Sequence, residues 1–284
     1  MKYFSGLARR SWVLLSMSFL MVSVLGCSGE PKVEKKSNTP TNETSNTLGE
    51  SNNEGLRFEL LSATQTGISF INKLPETPEI NILTYQYFHN GGGVAVGDIN
   101  NDGLPDIYFS SNLFPNELYL NKGNFQFENI NPIAKATGDR GWATGVTMVD
   151  INNDGLLDIY ACKSGNVDPD MRRNKLYVNQ GNLKFIEQSA AYGLDDPSYS
   201  TQAYFLDYDK DGDLDMYLLN HSIAPMKGKS DNVDLVFERD PKAGDKFFEN
   251  INGKYVDVSE KAGVKGSPIG FGLSVSVGDV NQDG

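Results

Sequence analysis

The chain has 284 residues and a formal net charge of −12, with 37 acidic side chains against 25 basic ones. That balance argues against a nucleic-acid partner, because the phosphate backbone selects basic surfaces. Two cysteines and two histidines leave no disulfide framework and little material for a zinc site, so stability must come from packing or from a hard cation.

Residues 1–26 have the parts of an export signal. Lys2, Arg9 and Arg10 make a basic start, and Trp12 to Leu25 is an apolar run of 14 residues. That run is too short to cross about 30 Å of hydrocarbon. It ends in Val24-Leu25-Gly26-Cys27, which resembles a bacterial lipobox, so Cys27 is expected to be the lipidated first residue of the mature protein. The expected location is the bacterial outer membrane or cell surface, with a lipid anchor as the contact with the membrane. A plain signal peptide cut nearby, or an uncleaved anchor, is the alternative. Residues 27–55 are rich in Ser, Asn, Thr, Glu and Lys with few apolar side chains, the composition of a disordered tether. Residues 56–284 are long enough for one sizeable core. Within them Cys162 follows an apolar segment and reads as a small buried hydrophobe.

One motif recurs along this region: DINNDGLPD at 98–106, DINNDGLLD at 150–158, DYDKDGDLD at 207–215 and DVNQDG at 279–284. Alternating apolar segments precede each copy (GGGVAVGD, TGVTMVD, QAYFLD, GLSVSVGD) and follow each complete one (DIYFSSN, DIYACKS, DMYLLNH). A period of two marks strands. Further on come NELYLNKGNFQFENI, NKLYVNQGNLKFIEQ and DKFFENINGKYVDVS, each predicting a strand, an Asn/Gly turn and another strand. The motifs start at 98, 150, 207 and 279, so four strands repeat over 52, 57 and 72 residues. That predicts an all-β chain built as a β-propeller of four-stranded blades; a sandwich rarely repeats so literally, and a solenoid repeats on a shorter period. FELLSATQTG at 58–67 resembles the last strand and exit of a blade, so it is expected to complete the final blade of a ring. The chain stops at position six of the fourth motif and is expected to be part of a longer protein.

Oxygen donors at positions 1, 3, 5 and 9 with glycine at 6 suit a cation that takes six to eight oxygens, which is calcium. The first loop would use Asp98, Asn100, Asp102 and Asp106 with the Leu104 carbonyl, the second Asp150, Asn152, Asp154 and Asp158 with the Leu156 carbonyl. The third would use Asp207, Asp209, Asp211 and Asp215 with the Asp213 carbonyl, and the incomplete fourth supplies Asp279, Asn281 and Asp283. About one calcium ion per complete loop is expected. An EF-hand would need a Glu at position 12, where Phe109, Ala161 and Leu218 stand, and flanking helices where strands are predicted. The third loop, with the most carboxylates, is expected to bind most tightly.

VAVGDINNDGLPDIY, VTMVDINNDGLLDIY, AYFLDYDKDGDLDMY and GFGLSVSVGDVNQDG resemble the FG-GAP or VCBS repeats of integrin α-subunit propellers. They are also similar to repeats of bacterial surface lipoproteins and cartilage acidic proteins that end in an ASPIC/UnbV domain. The resemblance implies a calcium-loaded propeller acting in adhesion or extracellular recognition, and it implies no agreed reaction. The Phe-Gly of the family name occurs only at Phe271-Gly272. The third unit is the longest, and its excess, residues 220–245, is the most basic stretch, with His221, Lys227, Lys229, Arg239 and Lys242; it is the expected loop for an extracellular protein or glycan ligand. His89, in YQYFHNGGG, is read as a structural histidine or one facing the ring's axis. The alternatives are a polysaccharide-active enzyme, for which no GxSxG or HExxH appears, and an accessory subunit of an outer-membrane uptake complex.

Overall fold

The computed structural model describes residues 58–138, 141–223 and 233–280, all within one unit of the chain, Arg57–Gly284. Alternating segments of three to eight residues form three antiparallel four-stranded meanders. The first contains β1 (Val94–Gly97), β2 (Asp106–Phe109), β3 (Glu117–Asn121) and β4 (Phe127–Asn129). The second contains β5 (Trp142–Val149), β6 (Asp158–Ser164), β7 (Lys175–Asn179) and β8 (Phe185–Glu187). The third contains β9 (Ser200–Leu206), β10 (Asp215–Asn220), β11 (Lys246–Asn250) and β12 (Tyr255–Asp257).

The register fixes each aspartate motif at the same corner. Gly97 pairs with Asp106, Val149 with Asp158 and Leu206 with Asp215, so every motif is the hairpin loop between the first and second strands of its sheet. The predicted Asn/Gly turns join the third and fourth strands. In the third sheet this is a two-residue turn with positive φ at Asn252 and Gly253, the pair that such a hairpin favours.

Successive sheets face one another through apolar side chains. Tyr108, Leu118, Leu120 and Ile130 of the first unit share a core with Val146, Ile159, Tyr177 and Phe185 of the second. Tyr160, Cys162, Leu176 and Val178 share another with Ala203, Met216, Leu218 and Phe248. The first strands lie side by side, with Gly93 N donating to the Thr144 carbonyl at 2.7 Å and Thr144 Oγ1 to the Ser200 carbonyl at 2.7 Å. Close approach explains the glycine at the start of these strands. A Cβ on Gly93 would stand 2.8 Å from the Thr144 oxygen, and one on Gly145 would overlap the Thr201 carbonyl and Gln202 Oε1.

Two predicted strands are not strands. Phe58–Leu61 forms no strand, with Phe58 93% and Leu60 96% exposed. Residues 272–279 are irregular, and their neighbourhood holds only an isolated bridge between His221 and Phe271. In the other units the partner of such a segment is the strand after the aspartate loop, and no such strand lies among the described residues. Backbone groups without a partner stay in water.

Short helices follow the fourth strands, where the sequence predicts blade exits: α2 (Asn131–Ala134) and α3 (Ser189–Tyr192), with an equivalent α1 (Ala63–Thr66) before the first sheet. Ser62 and Gln65 form a capping box on α1, and Gly67 ends it in the left-handed region. The Gly67 cap presses on the carbonyl of Phe127 in β4, as the Gly193 cap of α3 presses on Tyr255 in β12. Helix α1 therefore stands to the first sheet as α3 stands to the third. Residues 68–93 carry no strand and cross the sheets at the end remote from the aspartate loops. This strap buries Tyr85 and Phe88 against Trp142. It is bonded to the first unit through Asn72 and Asn112, to the second through Tyr85 and Ser164, and to the third through Gln86 and the Ser222 carbonyl.

Candidate metal centre

Within each motif the backbone is folded back on its own carboxylates. Asp98 accepts from the N–H groups of Asp102 (3.1 Å) and Gly103 (2.7 Å), and Asp150 from those of Asp154 (3.0 Å) and Gly155 (2.8 Å). In the third loop Asp207 accepts from Gly212 at 3.1 Å. Such a coil needs left-handed residues, and glycine takes φ of 84°, 84° and 94° at position six. Position four is left-handed as well, in Asn101, Asn153 and Lys210; asparagine is the side chain that tolerates this best.

The ninth residue has a second role that spacing alone does not reveal. Asp106 accepts from Ile99 N at 3.0 Å and from Asn121 N at 2.7 Å. Asp158 does so from Ile151 (3.0 Å) and Asn179 (2.7 Å), and Asp215 from Tyr208 (3.1 Å) and Asn250 (2.8 Å). None of the three is more than 1% exposed. Each joins its loop to the end of the third strand. The asparagine there returns the bond, donating from its side chain to the carbonyl of Pro105, Leu157 or Leu214. The signal for it was the Asn that stands two or three residues before each turn glycine, read earlier only as a turn residue.

Burial sets the electrostatics. It pushes the Asp158 carboxyl up to about 6, with the charges of Asp154 and Asp150 adding to the rise and the two N–H donors opposing it. Asp106 and Asp215 are raised for the same first reason. Asp213 is raised to about 6 by desolvation and then by Asp211 and Asp215, and its Oδ1 is buried without a hydrogen-bond partner. Carboxylates held together against their mutual repulsion favour a cation between them.

The donor sets fit a hard cation to different degrees. Asp207, Asp209 and Asp215 bring one carboxylate oxygen each within 4.8 Å of the others, the tightest such group among the described residues. In the first and second loops Asn100 and Asn152 spend their amide N–H on Asp102 and Asp154 at 2.9 Å. Their carbonyl oxygens, with the carboxylates of positions 1 and 5, remain the donors on hand there. An oxygen that accepts one N–H keeps a lone pair, so the buried ninth carboxylates are not removed from the set. Asp279 is described without its partners in the motif; Asn281 and Asp283 lie outside the described residues, as do Cys27, Lys227 and Lys229.

The basic excursion divides. His221 does not belong to its surface: it is 4% exposed, with Nε2 2.9 Å from Ser164 Oγ and 3.3 Å from the Tyr85 hydroxyl, and Nδ1 3.1 Å from Thr201 Oγ1. Strand pairing carries it inward, one residue past the end of β10. Arg239 is half-buried and donates to the carbonyls of Val264 and Asp245. Lys242 alone of the described three is exposed. His89 stands outside, 3.6 Å from Glu76.

Residues 98–161 match the FG-GAP-like repeat family. The matched stretch runs from the first aspartate of the first loop through the second loop into β6. The chain is also similar to cartilage acidic protein 1 of Xenopus tropicalis, 29% identical over 197 residues, which are 69% of this chain and 28% of that protein. The Mus musculus protein of that name is 28% identical over 57% of this chain, and the Homo sapiens one 26% over 58%. The chain spans about a quarter of the length of these relatives. The third loop lies beyond the matched repeat, but its buried ninth aspartate is bonded as in the other two.

Proposed function

We propose that the chain is a calcium-stabilised, extracellular binding module of the β-propeller kind, exported by its leader and held at a bacterial outer membrane or cell surface through a lipid on Cys27. The observation that carries the reading is the recurrence of one loop at one corner of three sheets, with Asp207, Asp209 and Asp215 of the third already gathered and the predicted Asp211 outside that group. Calcium would neutralise those carboxylates and, through the ninth aspartate, hold the loop to the third strand. The seat of α1 on the first sheet, equivalent to that of α3 on the third, supports a ring in which the N-terminal segment closes onto a further blade. Binding without turnover suits the Ser164–His221 contact, since Ser164 is completely buried and offers no nucleophile to a substrate.

Calcium titration by calorimetry, combined with melting in the presence and absence of chelator, tests the reading on the full chain. We expect about one ion per complete loop, and a loss of melting temperature on chelation of ten degrees or more as an order-of-magnitude figure. Absence of calcium uptake, or a melting temperature indifferent to chelator, would overturn it.

A further inference from the structure

The strap and the first strands of all three sheets border an open cavity of about 500 Å3 at the end of the sheets remote from the aspartate loops. Its wall is made by Tyr85, Tyr87 and Asn90 of the strap, Trp142 and Thr144 of β5, and Gln202 of β9, with His221 at its inner side. Three properties narrow what it can hold.

The first is charge. In a chain with a net charge of −12, none of the described residues that line this cavity is an Asp, Glu, Lys or Arg. His221, the one titratable base among the described lining residues, is pushed down to about 4 by burial and is neutral at physiological pH. Phosphates, carboxylates and amines find no counter-charge. The second is the aromatic surface. Tyr87 is half-buried and stacks on His221 with ring centroids 4.1 Å apart and planes 14° apart; Tyr85 meets Trp142 edge-on at 5.1 Å. These contacts, with the bond from Tyr85 to Ser164, leave the aromatic wall rigid. The third is the supply of uncharged polar groups. Gln202 donates its amide N–H groups to Thr147 Oγ1 (2.9 Å) and the Val146 carbonyl (3.3 Å), which orients its Oε1; that oxygen has no donor among the described residues. Asn90 adds an exposed carboxamide at the rim.

Rings held by their neighbours beside one preset carboxamide and one exposed one, without charge among the described lining, match a ligand with an apolar C–H face and hydroxyls around its edge. The volume lies within the range of small-molecule sites. We propose that this cavity is a binding site for a neutral saccharide ring, packed on Tyr87 and hydrogen-bonded by Gln202 and Asn90. The proposal rests on the binding-module reading and gives it a site and a ligand class. It places recognition at this cavity and not on the basic excursion at 220–245.

Trp142 supplies the test, because the only other tryptophan is Trp12 in the leader. The calcium-loaded full chain is titrated with the methyl glycosides of glucose, galactose, mannose and N-acetylglucosamine up to about 50 mM, followed by tryptophan fluorescence and saturation-transfer NMR. At least one sugar is expected to give a saturable response. Gln202→Ala and Tyr87→Ala are each expected to weaken it about tenfold or more, while Lys242→Ala leaves it unchanged. Asn90→Ala, at an exposed position, gives a several-fold loss and serves where a buried variant fails to fold. No saturable response to any of the four sugars overturns the proposal, as does binding indifferent to all three cavity variants. An uncharged capped tripeptide that binds in their place, with the same sensitivity, replaces the saccharide by a peptide and also overturns it. A chain that takes up calcium and binds an extracellular protein but no sugar keeps the binding-module reading and removes this one; sugar binding without calcium uptake does the reverse.

Discussion

Asp158 shows why a carboxylate stands at the ninth position of each motif whether or not a cation is present. Its oxygens meet two backbone N–H groups, of Ile151 and Asn179, that are shut away from water. Removing the side chain orphans both donors. A buried unmade hydrogen bond costs about 1–3 kcal/mol, so Asp158→Ala is expected to lose about 2–4 kcal/mol of unfolding free energy even in chelator. The exposed Asp154→Ala should lose under about 1 kcal/mol there, because water replaces what it bonded. Urea denaturation with chelator present measures both. Equal stability of the two variants would show that the ninth aspartate matters only as a metal ligand.

At the scale of elements, the close seating of the first strands depends on a missing side chain. Gly145 carries the Thr201 carbonyl and Gln202 Oε1 where its Cβ would be, so Gly145→Ala must push β5 and β9 apart. Overpacking of this kind costs about 1–3 kcal/mol. Gly278→Ala, with nothing within 4 Å of the added atom, serves as the control, and thermal melting of the pair reads the difference. A Gly145→Ala protein as stable as the control would mean that the strands can part freely. The sheets themselves were legible in the sequence, because each strand had its alternation and the first and last hairpins of each sheet their Asp/Gly or Asn/Gly turns. The failures share one cause: a strand is made by its partner. FELL at 58–61 and GLSVSVGD at 272–279 carry strand periodicity but no partner strand among the described residues. Burial escaped notice for a related reason, since His221 looked like one more basic residue of a long excursion until pairing through β10 drew it inside.

For the molecule as a whole, His221 is where strap, second sheet and third sheet meet. Tyr85, Ser164 and Thr201 hold its ring, and Tyr87 covers it. Burial lowers its folded pKa to about 4 from an ordinary 6.5, so below the ordinary value the unfolded chain binds a proton that the folded chain refuses. The stability tied to the neutral ring is complete above pH 6.5 and is lost as pH falls toward 4. The unfolding free-energy gap between wild type and His221→Gln should therefore shrink by about 2 kcal/mol between about pH 7 and about pH 5. Denaturant melts of both proteins at the two pH values measure it; a constant gap would place the ring in water.

The strap also sets an order of assembly. Each sheet is a meander of neighbouring hairpins and can form from local contacts, whereas the Tyr85–His221 contact joins residues 136 positions apart. Contacts of such separation come late, after the loop between them has been closed by other means. The cavity beneath the strap has no wall on that side until that moment, while the aspartate loops exist as soon as their hairpins do. Under the function proposed above, ion uptake and ligand uptake would belong to different stages of maturation: a half-finished chain would hold calcium yet ignore the sugar. In stopped-flow refolding the change in Trp142 emission should trail the calcium-dependent signal, and simultaneous signals would contradict that order.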